Sequence, residues 1–281
     1  MTSPAVRQRV GLRFGALPTM AIVMATLATA ATAAIDHSSD LLYRDSFEPY
    51  AGQGPTQVCT YTPDADGFFT LTSPQSPYTV RLPVGYDVQH PQPQRLLVAI
   101  HGCGDTAANF ATWAAVPFSL RATQDYIALS VGGRDGTCWN ASTDGVIVEA
   151  AIAHASSCFF VHPHKVVLAG YSSGGGLAYR MAMTDAQAYA GVLIENSGLY
   201  SVVGSGNVDA TLDAADWNIN VAHTARIDDA SYPIASVHAD WEKMIAHQFP
   251  LQSREIAGVH GDTATDWEGY LIPKMGAWVS P

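Results

Sequence analysis

The spacing of hydrophobic and polar positions changes near residue 95. Before that point, residues 57–61 and 68–72 alternate between apolar and polar side chains, and residues 78–83 form a third such stretch. Alternation of this kind predicts antiparallel strands. After that point the apolar residues run continuously, which is the pattern of parallel strands buried on both faces. Four such runs occur, at residues 96–100, 126–130, 165–169 and 191–194.

Helical segments are predicted between and after these runs. Residues 144–156 carry regularly spaced apolar side chains, and residues 234–248 form an amphipathic helix. Further strands are predicted at residues 220–222 and 252–256, and a last helix starts at Thr265. Strands that alternate with helices predict the α/β class, with an open and mostly parallel sheet and helices on both faces.

The first 56 residues differ from the rest. Three arginines precede an apolar, alanine-rich stretch that ends in small residues at the −3 and −1 positions of a cleavage site (Arg7, Arg9, Arg13, Ala31 and Ala33). This order predicts a secretory signal peptide at residues 1–33. The alternative is a membrane anchor, but the stretch is short and rich in threonine. Residues 34–56 are polar and turn-rich and indicate a linker, followed by one domain over residues 57–281.

Composition and charge restrict the possible partners. The chain has 281 residues, of which 48% are hydrophobic and 14% are charged, as in a globular protein with a full core. Its net charge is −11, and removal of residues 1–33, with three arginines and no acid, makes it −14. Such a protein is poorly suited to bind nucleic acid or anionic membranes. We expect a secreted monomer, extracellular or periplasmic, that acts on a neutral substrate and stays off the membrane after signal removal.

Four cysteines lie after the predicted signal peptide, and an even number in an exported chain predicts two disulfides. Cys103 and Cys138 both follow core strands, so both should lie at the carboxyl edge of the sheet. Cys158 follows a helix of about 15 residues, which carries the chain roughly 20 Å to the opposite edge. Because disulfide Cα atoms are only about 4.4–6.8 Å apart, Cys103–Cys138 is favoured, and Cys59–Cys158 follows by elimination.

A G-x-S-x-G motif follows the apolar run at residues 165–169. Ser172 is its central residue, and a helix rich in small residues is predicted directly after it. A buried strand that passes through this motif into a helix forms a strained turn, which exposes the serine hydroxyl as a nucleophile. The alternative is an ordinary turn serine.

A serine nucleophile needs a base and an acid, which in this type of sheet follow in the order serine, acid, histidine. Of the four later histidines, His260 alone lies in a glycine-flanked loop directly after the last predicted strand; the others are His223, His238 and His247. The acid should precede it, in the loop after residues 218–223. Asp228 and Asp229 both satisfy this order, and the remaining rivals are Asp209, Asp213 and Asp216.

The negative charge that forms on an acyl substrate needs backbone N–H donors. The residue after the nucleophile, Ser173, supplies one, and the H-G-C-G loop at residues 101–104 should supply the other from Cys103. Trp139 follows the next core strand and is a candidate wall for a substrate group, although a packing role explains it equally well. The pair His162 and His164 precedes the Ser172 strand and is a poor metal site. No metal or cofactor is therefore expected.

Four motifs, taken in order, resemble the secreted esterases of the polyhydroxyalkanoate-depolymerase, feruloyl-esterase and acetylxylan-esterase group. They are the segments at residues 101–107, 138–140, 170–175 and 229–233. The resemblance implies an α/β-hydrolase fold, and the short polar segment at residues 200–218 predicts a small or absent lid. The acid of that group occurs as D-x-x-V-P, which matches Asp229 and not Asp228, and its histidine lies in a C-terminal loop, as His260 does.

The resulting hypothesis is a secreted serine esterase that works through an acyl-enzyme on carboxylic esters of a polymer or cell wall. Feruloyl, acetyl-sugar and polyhydroxyalkanoate esters are the candidate substrates. The polar segment at residues 200–218 is too small for a large apolar lid, which favours an open site. Two alternatives remain, a secreted serine peptidase with the same residues and a non-catalytic binding protein on a hydrolase fold.

Overall fold

The computed structural model describes residues 54–263 and 265–281. The predicted signal peptide and most of the predicted linker therefore lie outside the described residues. Within them, the strands are Phe68–Thr72 (β1), Pro77–Arg81 (β2), Gln94–Ile100 (β3), Ile127–Val131 (β4), Val161–Tyr171 (β5), Gly191–Glu195 (β6), Asn220–Arg226 (β7) and Leu251–Ile256 (β8). They form one sheet in the order β1-β2-β4-β3-β5-β6-β7-β8. The β1–β2 and β2–β4 pairs are antiparallel, and all other pairs are parallel.

Helices cover both faces of this sheet, as predicted. They are Ala107–Phe110 (α1), Gly145–Cys158 (α2), Ser173–Thr184 (α3), Tyr200–Val203 (α4), Val208–Ala214 (α5), Ile234–Ala246 (α6) and Ile272–Lys274 (α7). Two wider turns, both π-helical, lie at Ala111–Ala115 and Trp267–Leu271. Alternate residues of β3 enter different cores. Leu96 and Val98 pack with α2 and α3, whereas Leu97 and Ala99 pack with the two wider turns. Burial on both sides explains the continuous apolar runs.

One predicted strand is wrong. Residues 57–61 form no strand, because this segment lies on the end of α2 instead of pairing with the sheet. The amides of Thr56 and Gln57 both donate to Ser157 O, at 3.0 and 3.1 Å. The predicted last helix from Thr265 is also broken up, into the wide turn Trp267–Leu271 and the single turn α7. Both segments are held by contacts with residues distant in the sequence. The spacing of apolar and polar residues within a segment does not reveal such contacts.

Both predicted disulfides are present, Cys103–Cys138 and Cys59–Cys158. The first joins the loops after β3 and β4. The second ties the segment before β1 to the end of α2. Cys158 lies just before β5, and Cys103 lies near the residue that ends β5. Because β5 has 11 residues, its two ends lie about 33 Å apart. The two disulfides therefore stabilise opposite edges of the sheet.

The segment at residues 200–218, between β6 and β7, was expected to be a polar connection. It contains the short helices α4 and α5, and α5 buries Val208 and Leu212 in the core that also holds Leu177 of α3. Asp240 of α6 accepts the amide of Tyr200 at 2.9 Å, which fixes the start of α4. In the part of the chain that the structure describes, none of the helices has the length and apolar character needed to cross a bilayer.

Candidate active site

The turn between β5 and α3 carries the candidate nucleophile. Ser172 has φ 54° and ψ −120°, a conformation that residues with a side chain rarely adopt. Glycines make this turn possible: a Cβ on Gly170 would lie 2.4 Å from Gly174 O, and one on Gly174 would lie 2.1 Å from Ile100 O. The Ser172 amide donates to Glu195 O at 3.1 Å. The sequence motif therefore adopts the geometry of a nucleophile elbow.

Three of the predicted side chains meet at the carboxyl edge of the sheet. His260 lies in the loop after β8, and its Nε2 is 2.9 Å from Ser172 Oγ. Its Nδ1 is 2.7 Å from Oδ2 of Asp229, in the loop after β7. Asp229 and Ser172 are buried, whereas His260 is half-buried. The arrangement can pass a proton from the hydroxyl to the imidazole while the carboxylate faces the opposite ring nitrogen.

The structure distinguishes the two adjacent aspartates. Asp229 is 4% exposed, and its Oδ1 accepts the amides of Ser231 at 2.7 Å and Tyr232 at 2.9 Å. These two bonds orient the carboxylate so that Oδ2 faces His260. Asp228 is exposed, and its amide donates to Gly258 O at 2.9 Å. Asp229 is therefore the aspartate that contacts the imidazole.

His260 is also held by groups that the sequence analysis missed. The rings of Tyr171 and Tyr232 stack on the imidazole, with centroids at 5.3 and 5.6 Å. Tyr171 Oη and Asn196 Nδ2 both donate to His260 O at 2.8 Å. Burial raises the pKa of Tyr171 to about 12, so this phenol remains a donor at neutral pH. The sequence offered a way to find these residues. Tyr171 lies in the motif at residues 170–175, Tyr232 lies in the motif at residues 229–233, and Asn196 directly follows β6.

The other histidines have separate partners. His223 is buried in β7, where Trp241 Nε1 donates to its Nδ1 at 2.8 Å and Tyr179 Oη lies 2.9 Å from the same nitrogen. Burial lowers the pKa of His223 to about 3, so this ring is neutral. His238 Nε2 lies 2.6 Å from Glu255 Oε2. None of these contacts involves Ser172.

The rival acids lie away from Ser172 as well. His247 bridges Asp209 and Asp213, with Nε2 and Nδ1 at 3.2 and 3.0 Å from their oxygens. Lys243 adds a contact of 2.9 Å to Asp209. These partly exposed contacts join α5 to the end of α6. Asp216 is an exposed residue after α5.

The H-G-C-G loop borders the nucleophile turn. A Cβ on Gly102 would lie 3.3 Å from Ser172 Cβ and 2.4 Å from the Tyr171 ring, so only glycine fits between them. Cys103 follows directly and is attached by its disulfide to Cys138. The amides of Cys103 and Ser173 belong to the two segments that meet here, and their binding of an oxyanion stays a prediction.

Asp105 directly follows this loop, and its carboxylate binds the residues of the next helix and turn. Its Oδ1 accepts the amide of Thr106 and Nδ2 of Asn109, both at 2.7 Å. Its Oδ2 accepts Nε1 of Trp113 at 3.0 Å. The Trp113 ring packs edge-on against Tyr171, with centroids 5.8 Å apart. Trp113, Tyr171 and His260 therefore form a row of aromatic rings.

Trp139 lies beside the nucleophile turn but is only 6% exposed. Its ring packs against His101 with centroids 5.1 Å apart, and its amide donates to Ser173 Oγ at 3.4 Å. This burial favours the packing alternative, and contact of Trp139 with a substrate stays a prediction.

Histidine and cysteine groups elsewhere offer little for a metal. His162 and His164 lie at the start of β5, at the edge opposite Ser172. Among the described residues, Cys59, Cys158 and His154 bring potential ligand atoms within 4.8 Å of one another. The two sulfurs are already joined to each other as a disulfide. A surface cavity of about 470 Å³ next to this disulfide, lined partly by Tyr61 and Tyr86, is equally remote from Ser172.

Comparison with known proteins identifies the fold. No family model matches the chain, and no curated protein sequence matches it either. A thermostable esterase structure is similar with a TM-score of 0.60 and 16% identity, over 76% of this chain and 63% of that chain, so this chain spans less than two thirds of that esterase. A ferulic acid esterase has a TM-score of 0.54 and 18% identity, over 73% and 92% of the two chains.

A further similar structure is a mutant of the feruloyl esterase module from Clostridium thermocellum complexed with sinapinate. Its TM-score is 0.56 at 14% identity, over 75% of this chain and 90% of that chain. At such identities the likeness concerns the fold. With the strand order and the helices on both faces, it shows that this chain has the α/β-hydrolase fold.

Proposed function

We propose that this protein is a secreted serine esterase that hydrolyses carboxylic esters through an acyl-enzyme. The observation that carries the proposal is the chain of contacts from Ser172 Oγ through His260 to Asp229, with distances of 2.9 and 2.7 Å. Nucleophile, base and orienting acid in this geometry are what acyl transfer by serine requires. The strained backbone of Ser172 supports the same role.

In the first half of the reaction, His260 takes the Ser172 proton on Nε2 as the oxygen attacks the ester carbon. The carbonyl oxygen becomes an anion, which the amides of Cys103 and Ser173 stabilise. When the carbon–oxygen bond to the alcohol breaks, His260 gives its proton to the leaving oxygen. Water then repeats the sequence on the acyl-enzyme, which releases the acid and restores the serine.

Asp229 acts through His260. It holds the proton on Nδ1, so that Nε2 is free to accept, and its negative charge stabilises the imidazolium that forms. The amides of Ser231 and Tyr232 keep this buried carboxylate in place. The rings of Tyr171 and Tyr232 lie within about 6 Å of the imidazole, a distance at which aromatic faces attract a cation.

The substrate class is proposed as polymer or cell-wall esters, including feruloyl, acetyl-sugar and polyhydroxyalkanoate esters. The similar structures named above include two feruloyl or ferulic acid esterases. Two disulfides suit an oxidising compartment, and the acidic charge suits a neutral substrate. The short helices α4 and α5 pack into the core, which supports a small lid and an open site.

Fluorophosphonate labelling and a substrate screen together test this function. The probe should label the wild-type protein at Ser172 and should not label Ser172→Ala. Ser253→Ala, which changes an exposed serine, is the matched control and should be labelled like wild type. Hydrolysis of feruloyl, acetyl-sugar and polyhydroxyalkanoate esters, with little cleavage of matched amides, is the expected profile. Preferred amide cleavage would identify a peptidase. An unlabelled Ser172 without turnover would favour a binding protein.

A further inference from the structure

A buried polar cluster beneath the site takes no part in the chemistry proposed above. It contains Glu195 at the end of β6, Arg226 at the end of β7, and Asp266 beside Trp267. Glu195 is 0% exposed, and Arg226 and Asp266 are each 3% exposed. The guanidinium pairs directly with Asp266 and also lies within electrostatic range of Glu195, so one positive charge accompanies two buried carboxyl groups. Because an uncompensated buried charge is strongly unfavourable, the cluster is neutral only when one carboxyl group carries a proton.

Arg226 connects this cluster to the loop of His260. Its Nη2 donates to Asp266 Oδ2, and its Nε donates to Asp262 O. Asp262 in turn closes the loop around the histidine, since its Oδ2 accepts the amide of Val259 at 2.8 Å and its own amide donates to Val259 O at 2.9 Å. The position of Arg226 therefore determines where the backbone of this loop lies.

Glu195 touches the other side of the cluster and also the nucleophile. Its backbone oxygen accepts the amide of Ser172 at 3.1 Å. Its side chain faces the carboxyl group of Asp266 and the indole N–H of Trp267. Among the described residues, no donor makes a hydrogen bond of ordinary geometry to either Glu195 side-chain oxygen. An ionised Glu195 would be a buried, poorly paired anion, whereas a neutral Glu195 can donate to Asp266.

We propose that Glu195 is a positioning residue: as a neutral acid it donates a hydrogen bond to Asp266, which holds Arg226 against the His260 loop. The proposal rests on the esterase function proposed above, because it gives Glu195 a role in placing the catalytic base. No bond is broken in this role. The carboxyl proton stays on Glu195 through the reaction, and loss of that proton adds a second negative charge beside Asp266.

The electrostatic surroundings agree with this geometry. Burial raises the pKa of Glu195 well above its usual range, and the neighbouring Asp266 raises it further, while the Trp267 indole and the Arg226 charge oppose these effects more weakly. Tyr171, which is neutral at physiological pH, also lies within electrostatic range of Glu195. Among the described residues, the ionisable groups that interact electrostatically with this carboxyl include Arg226, Asp266 and Tyr171.

The raised pKa has a defined effect on stability. The unfolded chain releases the Glu195 proton near pH 4.3, whereas the folded protein keeps it to higher pH. The stability from this proton is thus complete below about pH 4.3 and is lost as the pH rises toward the folded pKa. Glu195→Gln carries a neutral donor that does not titrate. Its Tm relative to wild type should therefore increase with pH.

The test compares Glu195→Gln with Glu195→Leu, and uses Glu149→Gln, at an exposed glutamate of α2, as the matched control. With p-nitrophenyl acetate, Glu195→Gln should keep kcat within about threefold of wild type. Glu195→Leu should lower kcat by about 10–100-fold with KM changed less than about threefold, because the loop shifts while the binding surface remains. From pH 5 to pH 8, the Tm of Glu195→Gln minus the Tm of wild type should increase by at least about 3 °C.

Equal loss of kcat in both variants, or no loss in Glu195→Leu, would overturn the proposal. If Glu195→Leu does not fold, Glu195→Gln alone tests the proposal. A Tm difference between Glu195→Gln and wild type that does not change with pH would then overturn the proposal. The Tm measurement needs no substrate. A wild-type protein that is inactive on esters, together with the expected Tm difference, would therefore contradict the esterase function and leave the neutral Glu195 supported.

Discussion

The hydroxyl of Tyr171 donates to the backbone oxygen of His260 at 2.8 Å, and the two rings stack with centroids 5.3 Å apart. Tyr171 immediately precedes Ser172, so one residue of the nucleophile turn holds the loop of the candidate base. The distance between Ser172 Oγ and His260 Nε2 therefore depends on a contact between residues 89 positions apart.

Removing this hydrogen bond should weaken turnover modestly. Tyr171→Phe retains the ring and loses one bond of about 1 kcal/mol, which corresponds to a kcat about fivefold lower. Tyr171→Leu also loses the stacked ring and should lower kcat by about 10–100-fold. Tyr189→Phe, remote from the site, is the control for steady-state kinetics on p-nitrophenyl acetate. Equal kcat in all three variants would show that the contact does not position His260.

The nucleophile and the base should act as a unit. Ser172→Ala and His260→Ala should each lower kcat by about 10⁴–10⁶, and the double variant should be no worse than the single ones. Circular dichroism and Tm should stay close to wild type, because both side chains lie at the edge of the core. Near-normal ester hydrolysis by a folded Ser172→Ala protein would contradict the assignment.

The two aspartates form a matched pair for mutagenesis. Asp229→Asn should lower kcat by about 10³–10⁴, because the amide no longer stabilises the imidazolium or selects its tautomer. Asp228→Asn should change kcat by less than about threefold, since Asp228 is exposed and its side chain does not contact His260. The two rates, measured under identical conditions, test the assignment, and the reverse ranking would transfer the role to Asp228.

The two disulfides should separate activity from stability. In the chain-entropy model, loops closed over sequence separations of 35 and 99 residues contribute about 4 and about 5 kcal/mol. Loss of Cys103–Cys138 frees the loop that carries the Cys103 amide. Cys138→Ala should therefore lower kcat in a domain that is still folded. Cys59→Ala should lower Tm with kcat retained. A Cys138→Ala protein with full kcat would show that this disulfide does not support the oxyanion loop.

His223 should make the protein sensitive to acid. Burial holds its pKa at about 3, below an ordinary unfolded value of about 6.5. The unfolded chain binds this proton first, so the stability from neutral His223 is present above about pH 6.5 and is lost as pH falls toward 3. The loss approaches about 1.4 kcal/mol per pH unit. Between pH 6.5 and 4.5, the free energy of unfolding of His223→Gln should fall less than that of wild type; an equal fall would contradict the assignment.

Local sequence determined the parts of this protein that depend on backbone sterics and on burial of neighbouring residues. Glycines at positions 170 and 174 are needed wherever a strand turns this sharply into a helix, so the elbow could be predicted from five residues. Continuous apolar runs are required for strands covered on both faces, and they located β3, β4, β5 and β6. Strand direction then placed Cys103 and Cys138 at one edge, which led to the correct disulfide.

Tertiary structure decided what depends on contacts between distant segments. Asp228 and Asp229 are indistinguishable by order, and the fold buries one against His260 and exposes the other. Residues 57–61 have the spacing of a strand, but their neighbours on α2 provide other hydrogen-bond partners. The cluster around Glu195 has no local signature, because its members come from β6, β7 and the C-terminal turn. Its charges oppose one another only after those segments have packed together.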